Sequence, residues 1–362
     1  MTGAMYAAVS GLKAHMQKLN VIGNNVANVN TYGYKAARAT FQESLYTTIT
    51  SGSNGSDSVG GVNPAQLGYG CNIGTIDLNM STANYVPTGK SLDCMIDGDG
   101  FFLVGDKAAG STGTDGIVLD ETNAKDLLLT RVGNFEIDPQ GYLTDGQGNV
   151  VYGFVTTSGD TTAGALVDAD NPTASTQLVP IRLPLAAKTD GSAVYPGVDT
   201  DGHNVYDPGT DSADLTDGST ITTDSISIDA STGKITAVNK ADKSTIVVGY
   251  IPLANVTNPN GVTHIQGAYY RAGEGAGDCS VASIGDVLSG KYLNNKASGD
   301  TDAVAIRGTG STDLITSGLE SSGTDLATEI SEMITTQRGY QANTRIITVT
   351  DSMLEELVNM KR

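Results

Sequence analysis

The sequence predicts a multidomain protein whose N- and C-terminal α-helices pair as a coiled-coil-like inner domain, with mainly-β outer domains inserted between them. Three observations predict it. Met5, Val9, Leu12, Met16, Leu19, Gly23 and Val26 recur at alternating steps of four and three near the start, the spacing of a seam along a helix. Leu326, Ile330, Met333, Gln337, Tyr340, Thr344, Ile347, Asp351, Leu354 and Val358 repeat it at the end, and seven of these ten positions are apolar. Between the two ends the rhythm changes to short β-type runs broken by turn signals.

Charge divides the chain in the same way. The net charge is −19, yet residues 1–30 carry +2 and residues 324–362 carry −2, so the middle holds the acidity. Such a balance repels phosphates and excludes nucleic acid as a partner. No run of 18 apolar residues occurs, so no membrane insertion is expected. The start lacks a basic segment followed by a long apolar one, so export by a cleaved signal peptide is not expected either. Cys71, Cys94 and Cys279 show no CxxC spacing and read as buried or half-buried thiols; one disulfide stays open.

Taken in order, the first helix is expected to end in Gly23-Asn24-Asn25-Val26-Ala27-Asn28, because asparagine side chains compete for the helix backbone. Residues 36–46 suit a short helix or an extended arm, and 51–61 a loop. A strand is expected over Ile73–Leu78. Met95-Ile96 and Phe101–Val104 read as strands around the turn Asp97-Gly98-Asp99-Gly100. A further hairpin spans Thr130–Ile137 and Tyr142-Leu143, and a strand follows over Asn149–Val155. Residues 156–224 show little period, apart from an edge strand at Gln177–Leu185. Ser225–Asp229 and Lys234–Val238 flank a turn, Ser244–Leu253 makes one strand, and Asn258-Pro259-Asn260-Gly261 turns again. The closing helix takes Thr324 as N-cap, with Asp325, Glu329 and Glu332 near its positive end and Lys361 and Arg362 near its negative end. Gly339 leaves a small opening on its side for a neighbour.

The expected domains are 1–30 with 324–362 as the helical inner domain and 31–70 with 313–323 as linkers. Residues 71–155 with 251–312 make a β-rich middle domain, and 156–250 a β-rich outer one.

No catalytic constellation emerges, and no cofactor or metal is expected. A calcium loop at Asp97 would need oxygen ligands where Phe101 and Ala108 stand, and one at Asp199, Asp201 and His203 lacks its glycine and its closing glutamate. Gly285 to Lys291 has phosphate-loop spacing, but Tyr292 replaces the metal-binding hydroxyl. His15, His203 and His264 form no ligand pair, and His15 reads as a packing or surface residue. Tyr269-Tyr270-Arg271 reads as a packed strand edge rather than a base-stacking platform.

Ala8-Val9-Ser10-Gly11-Leu12, Gly23-Asn24-Asn25-Val26-Ala27-Asn28 and Gly33-Tyr34-Lys35 resemble the N-terminal signature of bacterial flagellar rod and hook axial proteins. Gln337-Arg338-Gly339-Tyr340-Gln341-Ala342-Asn343 is similar to that family's closing helix. Ile96-Asp97-Gly98-Asp99-Gly100-Phe101-Phe102 and Thr130-Arg131-Val132-Gly133-Asn134-Phe135 resemble its β-domain motifs, with Ile251-Pro252-Leu253-Ala254-Asn255 further on. Within the family, length and the extra segment 156–250 favour the hook type, a flexible tubular joint. The distal rod is the alternative, and a secreted surface adhesin a third reading. The resemblance implies self-assembly into a helical homopolymer and export by the flagellar type III apparatus without a cleaved signal. It also implies distal rod, hook cap and hook–filament junction proteins as partners, in an extracellular flagellum.

The expected polymer interface is Met5, Val9, Leu12, Met16, Leu19, Val26, Leu326, Ile330, Met333, Tyr340, Ile347, Leu354 and Val358. Gln337, Thr344 and Asp351, seven residues apart, form a polar line within it. A private pair of helices would bury that line at a desolvation cost, whereas neighbouring subunits could meet it with polar groups.

Overall fold

The computed structural model describes residues 2–54, 60–106, 127–139, 141–157, 167–168, 173–183, 186–188, 193–194, 215–220, 226–238, 245–293, 305–310 and 312–360. The chain forms two compact units, Met1–Asn79 with Ser322–Arg362, and Met80–Ser321. Two helices lie at the ends and many strands between them.

The first unit holds α1 (Thr2–Ala27), β1 (Ala37–Glu43), β2 (Tyr46–Thr50), β3 (Ala65–Gly68), β4 (Cys71–Leu78) and α2 (Leu326–Met360). β1 pairs antiparallel with β4, from Ala37 opposite Leu78 to Glu43 opposite Cys71. Across this ribbon the Thr40 and Thr75 hydroxyls meet at 2.7 Å and Arg38 pairs with Asp77 at 3.5 Å, the cross-strand contacts that fix register. Residues 37–43 are thus extended, not helical. β2 pairs with β3, and a bridge from Ser53 to Val62 continues that ribbon toward residues 55–59, outside the described set.

α1 ends at Ala27, inside the stretch where its end is expected. It stays helical through Gly23, Asn24 and Asn25, and the Asn25 amide bonds to distant groups instead of competing for its own backbone. One helix boundary differs from expectation. The cap of α2 is Asp325, not Thr324. Its carboxylate accepts from the Ala327 N–H at 3.1 Å and the Thr328 hydroxyl at 2.6 Å, and these bonds hold its pKa below the usual carboxylate range.

In the second unit the largest sheet has twelve strands among the described residues. Val150–Thr157 is its hub, pairing with Phe102–Gly105, Thr173–Pro180 and Thr245–Tyr250. Phe102, Val104, Phe135, Val151, Ile181 and Leu253 fill the core, with the Phe102 and Phe135 rings edge to face at 5.1 Å. The turns at 138–142 and 229–233 close hairpins, with Leu143 opposite Ile137 and Ile228 opposite Ile235.

The Asp97–Gly100 turn does not close a hairpin. Cys94–Asp97 pairs with Asp313–Thr316, while Phe102–Gly105 pairs with Leu128–Thr130. Phe101 exchanges backbone bonds of 2.9 and 2.8 Å with Ala254, which draws the chain away from the preceding strand. The single strand expected over 244–253 is two, Thr245–Tyr250 and Pro252–Val256. Between them the Ile251 N–H donates to Gly233 at 2.9 Å, and Pro252 has no N–H with which to continue the ladder. Tyr269–Arg271 lies inside the sheet, bonded on both sides, with both tyrosines buried.

Arg131 is almost fully enclosed and packs over the Phe101 ring at 5.5 Å. Its Nε and Nη1 have no hydrogen-bond partner among the described residues. Burial lowers its pKa, opposed by the nearby carboxylates of Glu320 and Asp99. Removing the guanidinium takes away the cation near the buried Glu320 carboxylate and opens a cavity over the Phe101 ring. Arg131→Ala should therefore destabilise the second unit by roughly 3–5 kcal/mol, read as a lower urea midpoint in tyrosine fluorescence with the helical circular dichroism of the first unit retained.

Candidate assembly surface

α1 and α2 lie antiparallel in the first unit. Positions rising along α1 meet positions falling along α2: Gly11 faces Asn343, His15 faces Gly339, Lys18 binds Glu332 at 2.9 Å, and Asn25 binds Glu329 at 2.9 Å. On α1 the residues that make this contact are Gly11, His15, Lys18 and Asn25, and on α2 Glu329, Glu332, Gly339 and Asn343; Ala8 and Ile22, and Thr336 and Thr350, are buried in the same rows. Both keep the steps of three and four expected from sequence, yet each lies one residue before the apolar row singled out there. One residue is about 100° of helix rotation, so the helices meet through small and polar side chains and carry their apolar rows elsewhere.

Glycine makes this approach possible. A Cβ at Gly11 would stand 2.8 Å from the Asn343 amide nitrogen, and one at Gly339 would stand 2.7 Å from His15 Cε1. The opening expected beside Gly339 is thus filled by His15. The buried hydroxyls of Thr336 and Thr350 turn back to the carbonyls of Glu332 and Ile346, each at 2.7 Å, and no polar group is left stranded by them.

The end of the pair is fixed by Asn25, which is 1% exposed. Its Nδ2 donates to the Ala37 carbonyl at 2.8 Å and to Glu329 Oε1 at 2.9 Å. Its Oδ1 accepts from the Ala37 N–H and the Tyr34 hydroxyl, each at 3.0 Å. Burial raises the Glu329 pKa, the Asn25 bond opposing it; burial, then the Glu329 charge, raises that of Tyr34.

Eight of the thirteen expected interface residues are exposed. Met5, Val9, Met16, Leu326, Ile330, Tyr340, Leu354 and Val358 are exposed, Met16 by 51% and Val358 by 67%. Leu12, Leu19, Val26, Met333 and Ile347 are half-buried, and Gln337, Thr344 and Asp351 are exposed. Thr344 bonds its own helix at Tyr340 O. A second line, Ile334, Ile346, Val349, Met353, Leu357 and Met360, is also uncovered. Rows of exposed apolar side chains are a common feature of association surfaces. Gly11, Lys18, Asn25, Thr336 and Asn343 hold the pair and carried no signal of that role in the sequence; only the one-residue offset of their spacing could have pointed to them.

Among the described residues no three His, Cys, Asp or Glu side chains gather as a metal site, and no helix is long and apolar enough to cross a membrane. Cys71 is half-buried, Cys94 and Cys279 are buried, and all three are free thiols. Burial pushes the Cys94 thiol well above its ordinary range. The stretch from Gly285 to Lys291 follows the strand Cys279–Ser283 and begins within a short 3-10 turn, Ile284–Asp286. Asp199, Asp201 and His203 lie outside the described residues.

Terminal helices paired in one unit, with apolar rows left open, and a separate β-rich unit define a class of chain whose two ends fold together and whose middle is β-rich. Residues 5–35 match the model of the flagella basal body rod protein, and 316–360 that of the flagellar basal body rod FlgEFG protein C-terminal region. The chain is 32% identical over 362 residues, the whole of both chains, to the flagellar basal-body rod protein FlgG of Bacillus subtilis (strain 168). It is 27% identical over 358 residues, 99% of each chain, to FlgG of Buchnera aphidicola subsp. Baizongia pistaciae. To the flagellar hook protein FlgE of Borreliella burgdorferi it is 34% identical over 145 residues, 40% of this chain and 29% of that one. The chain belongs to the flagellar rod and hook family of axial structural proteins.

Asn25→Ala leaves the Ala37 N–H and carbonyl without their partners. It should destabilise the helical unit by roughly 2–4 kcal/mol, lowering the urea midpoint of the far-ultraviolet helix signal. Gly339→Leu should act in the same direction by roughly 1–3 kcal/mol through overpacking against His15, and should broaden the His15 ring resonances.

Proposed function

We propose that this chain is a non-enzymatic structural subunit of the distal rod of the bacterial flagellum, polymerising head to tail into a tube. The observation that carries the rod reading is the match to a rod protein over the whole of both chains, against hook matches that cover 40–44% of this chain. A structural role also agrees with a site made of apolar rows and holding no reactive constellation among the described residues.

In this reading the exposed rows of α1 and α2 are the polymer interface, and they complete a coiled-coil-like core with neighbouring copies. Burying an exposed Leu, Ile, Val or Met contributes about 1.5–3 kcal/mol, so several such positions offset the cost of ordering the subunit in the polymer. Gln337, Thr344 and Asp351 meet polar neighbours or water in the tube and fix register. Head-to-tail contacts that do not close give an open helix. The subunit leaves the cell through the flagellar type III apparatus and meets other rod subunits and the hook. In the second reading the chain is the hook subunit, favoured by matches at 34% identity to hook proteins of Borreliella burgdorferi and Treponema pallidum.

Expression in strains lacking either the rod or the hook protein separates the two readings. Recovery of motility in the rod-deficient strain alone supports the distal rod, and recovery in the hook-deficient strain alone replaces it with the hook. Electron microscopy of concentrated protein should show straight tubes, whereas curved ones favour the hook. Leu354→Glu combined with Val358→Glu should abolish tubes while leaving the circular dichroism of the monomer unchanged. Tubes of normal abundance from that variant would remove the α2 row from the interface. Changing Gln337, Thr344 and Asp351 together to leucine should disturb tube order, and undisturbed tubes would dismiss the polar line.

A further inference from the structure

His15 occupies the closest approach of the helix pair. Its ring fills the space opposite Gly339, where a side chain would stand 2.7 Å from Cε1 and 2.9 Å from Nε2. It packs edge-on against Phe41 of β1 with 5.2 Å between ring centres. Nδ1 is buried and has no hydrogen-bond partner among the described residues. Lys18, one turn along α1, lies 5.7 Å from the centre of the same Phe41 ring and binds Glu332.

We propose that His15 is a proton-operated latch on the helix pair: the neutral ring holds α1 against α2, and its protonation releases them from each other. The imidazolium carries two N–H donors, and the buried one at Nδ1 would face no acceptor. Phe41 could offer a cation some attraction, but Lys18 already takes that place. The charged groups on the surrounding elements do not compensate. Glu332 is bound to Lys18, Glu329 to Asn25, Arg38 to Asp77, and Glu43 accepts from the Tyr46 hydroxyl. Arg338, beside Gly339, is itself a cation.

Burial, then the Lys18 charge, lowers the pKa of His15 from its ordinary 6.5. The unfolded ring therefore takes up a proton at higher pH than the folded one. The helix pair keeps its full stability above about pH 6.5, loses it as pH falls from there toward the lowered value, and levels off below. Glu329 contributes with the opposite sign, since its folded pKa is raised; that contribution is common to all variants compared and cancels between them. The latch stands whether the chain builds a rod or a hook, because it operates within one subunit.

The test uses the full-length protein. Its three histidines are followed by NMR as pH is varied, with His203→Gln and His264→Gln identifying the other two. Urea unfolding of the helix signal is measured at about pH 7.5 and about pH 5.5 for wild type, His15→Gln and His264→Gln. The latch predicts that His15 titrates below 6.5, and that the midpoint falls on acidification in wild type and His264→Gln but not in His15→Gln. Titration of His15 at or above the ordinary value, or an equal fall in His15→Gln, overturns it. If His15→Gln does not fold, the wild-type titration decides alone.

Discussion

The side-chain amide of Asn25 is the constraint on which the helical unit depends. It lies inside the unit and makes four hydrogen bonds, to both backbone groups of Ala37, to Glu329 and to Tyr34. Those partners belong to the first residue of β1, the first turn of α2 and the turn after α1. Only an amide supplies both donors and an acceptor at this position; a carboxylate could not donate, and an aliphatic side chain could do neither. One residue thereby sets where α1 stops, where β1 starts and how α2 is aligned with α1.

That alignment places the weakest part of each helix at their mutual contact. Glycines, threonines, an asparagine and one ion pair meet there, so the pair is fixed by shape and hydrogen bonding more than by apolar burial. Lys18 and Glu332 are partly exposed, and pairs of that kind contribute about 0–1 kcal/mol. The apolar content of both helices is left facing outward, which suits a family whose members are parts of the flagellar rod and hook. The second unit is organised differently. Its core of aromatic and aliphatic side chains is closed within the unit, and its buried polar groups are local devices. Asp145, for example, accepts from the Gln147 and Asn149 N–H groups and from the Tyr269 hydroxyl.

Much of the fold was legible in the residues. The helix pair was announced by period, and the turns at 138–142 and 229–233 by their Asp and Gly, because those signals are local. The failures were non-local. The strand at Cys94–Asp97 took its partner from residues 313–316, more than two hundred positions away, and no turn chemistry announces such a choice. Asn25 reads from sequence as a helix breaker because its competition for the helix backbone is a local property. Its true partners are set by tertiary placement.

By itself the sequence determined that both ends are helices with lengthwise rows at matching spacing, because an apolar period of three and four survives without knowledge of any neighbour. Which row would face the other helix was decided only by the tertiary structure. Adjacent rows share the same period, and a stripe of Leu, Ile and Met does not state what will cover it. The close approach at Gly11 and Gly339, with the hydrogen bonds of Asn25, turned each helix by one residue. That rotation put the polar row inside the pair and left most of the apolar row exposed.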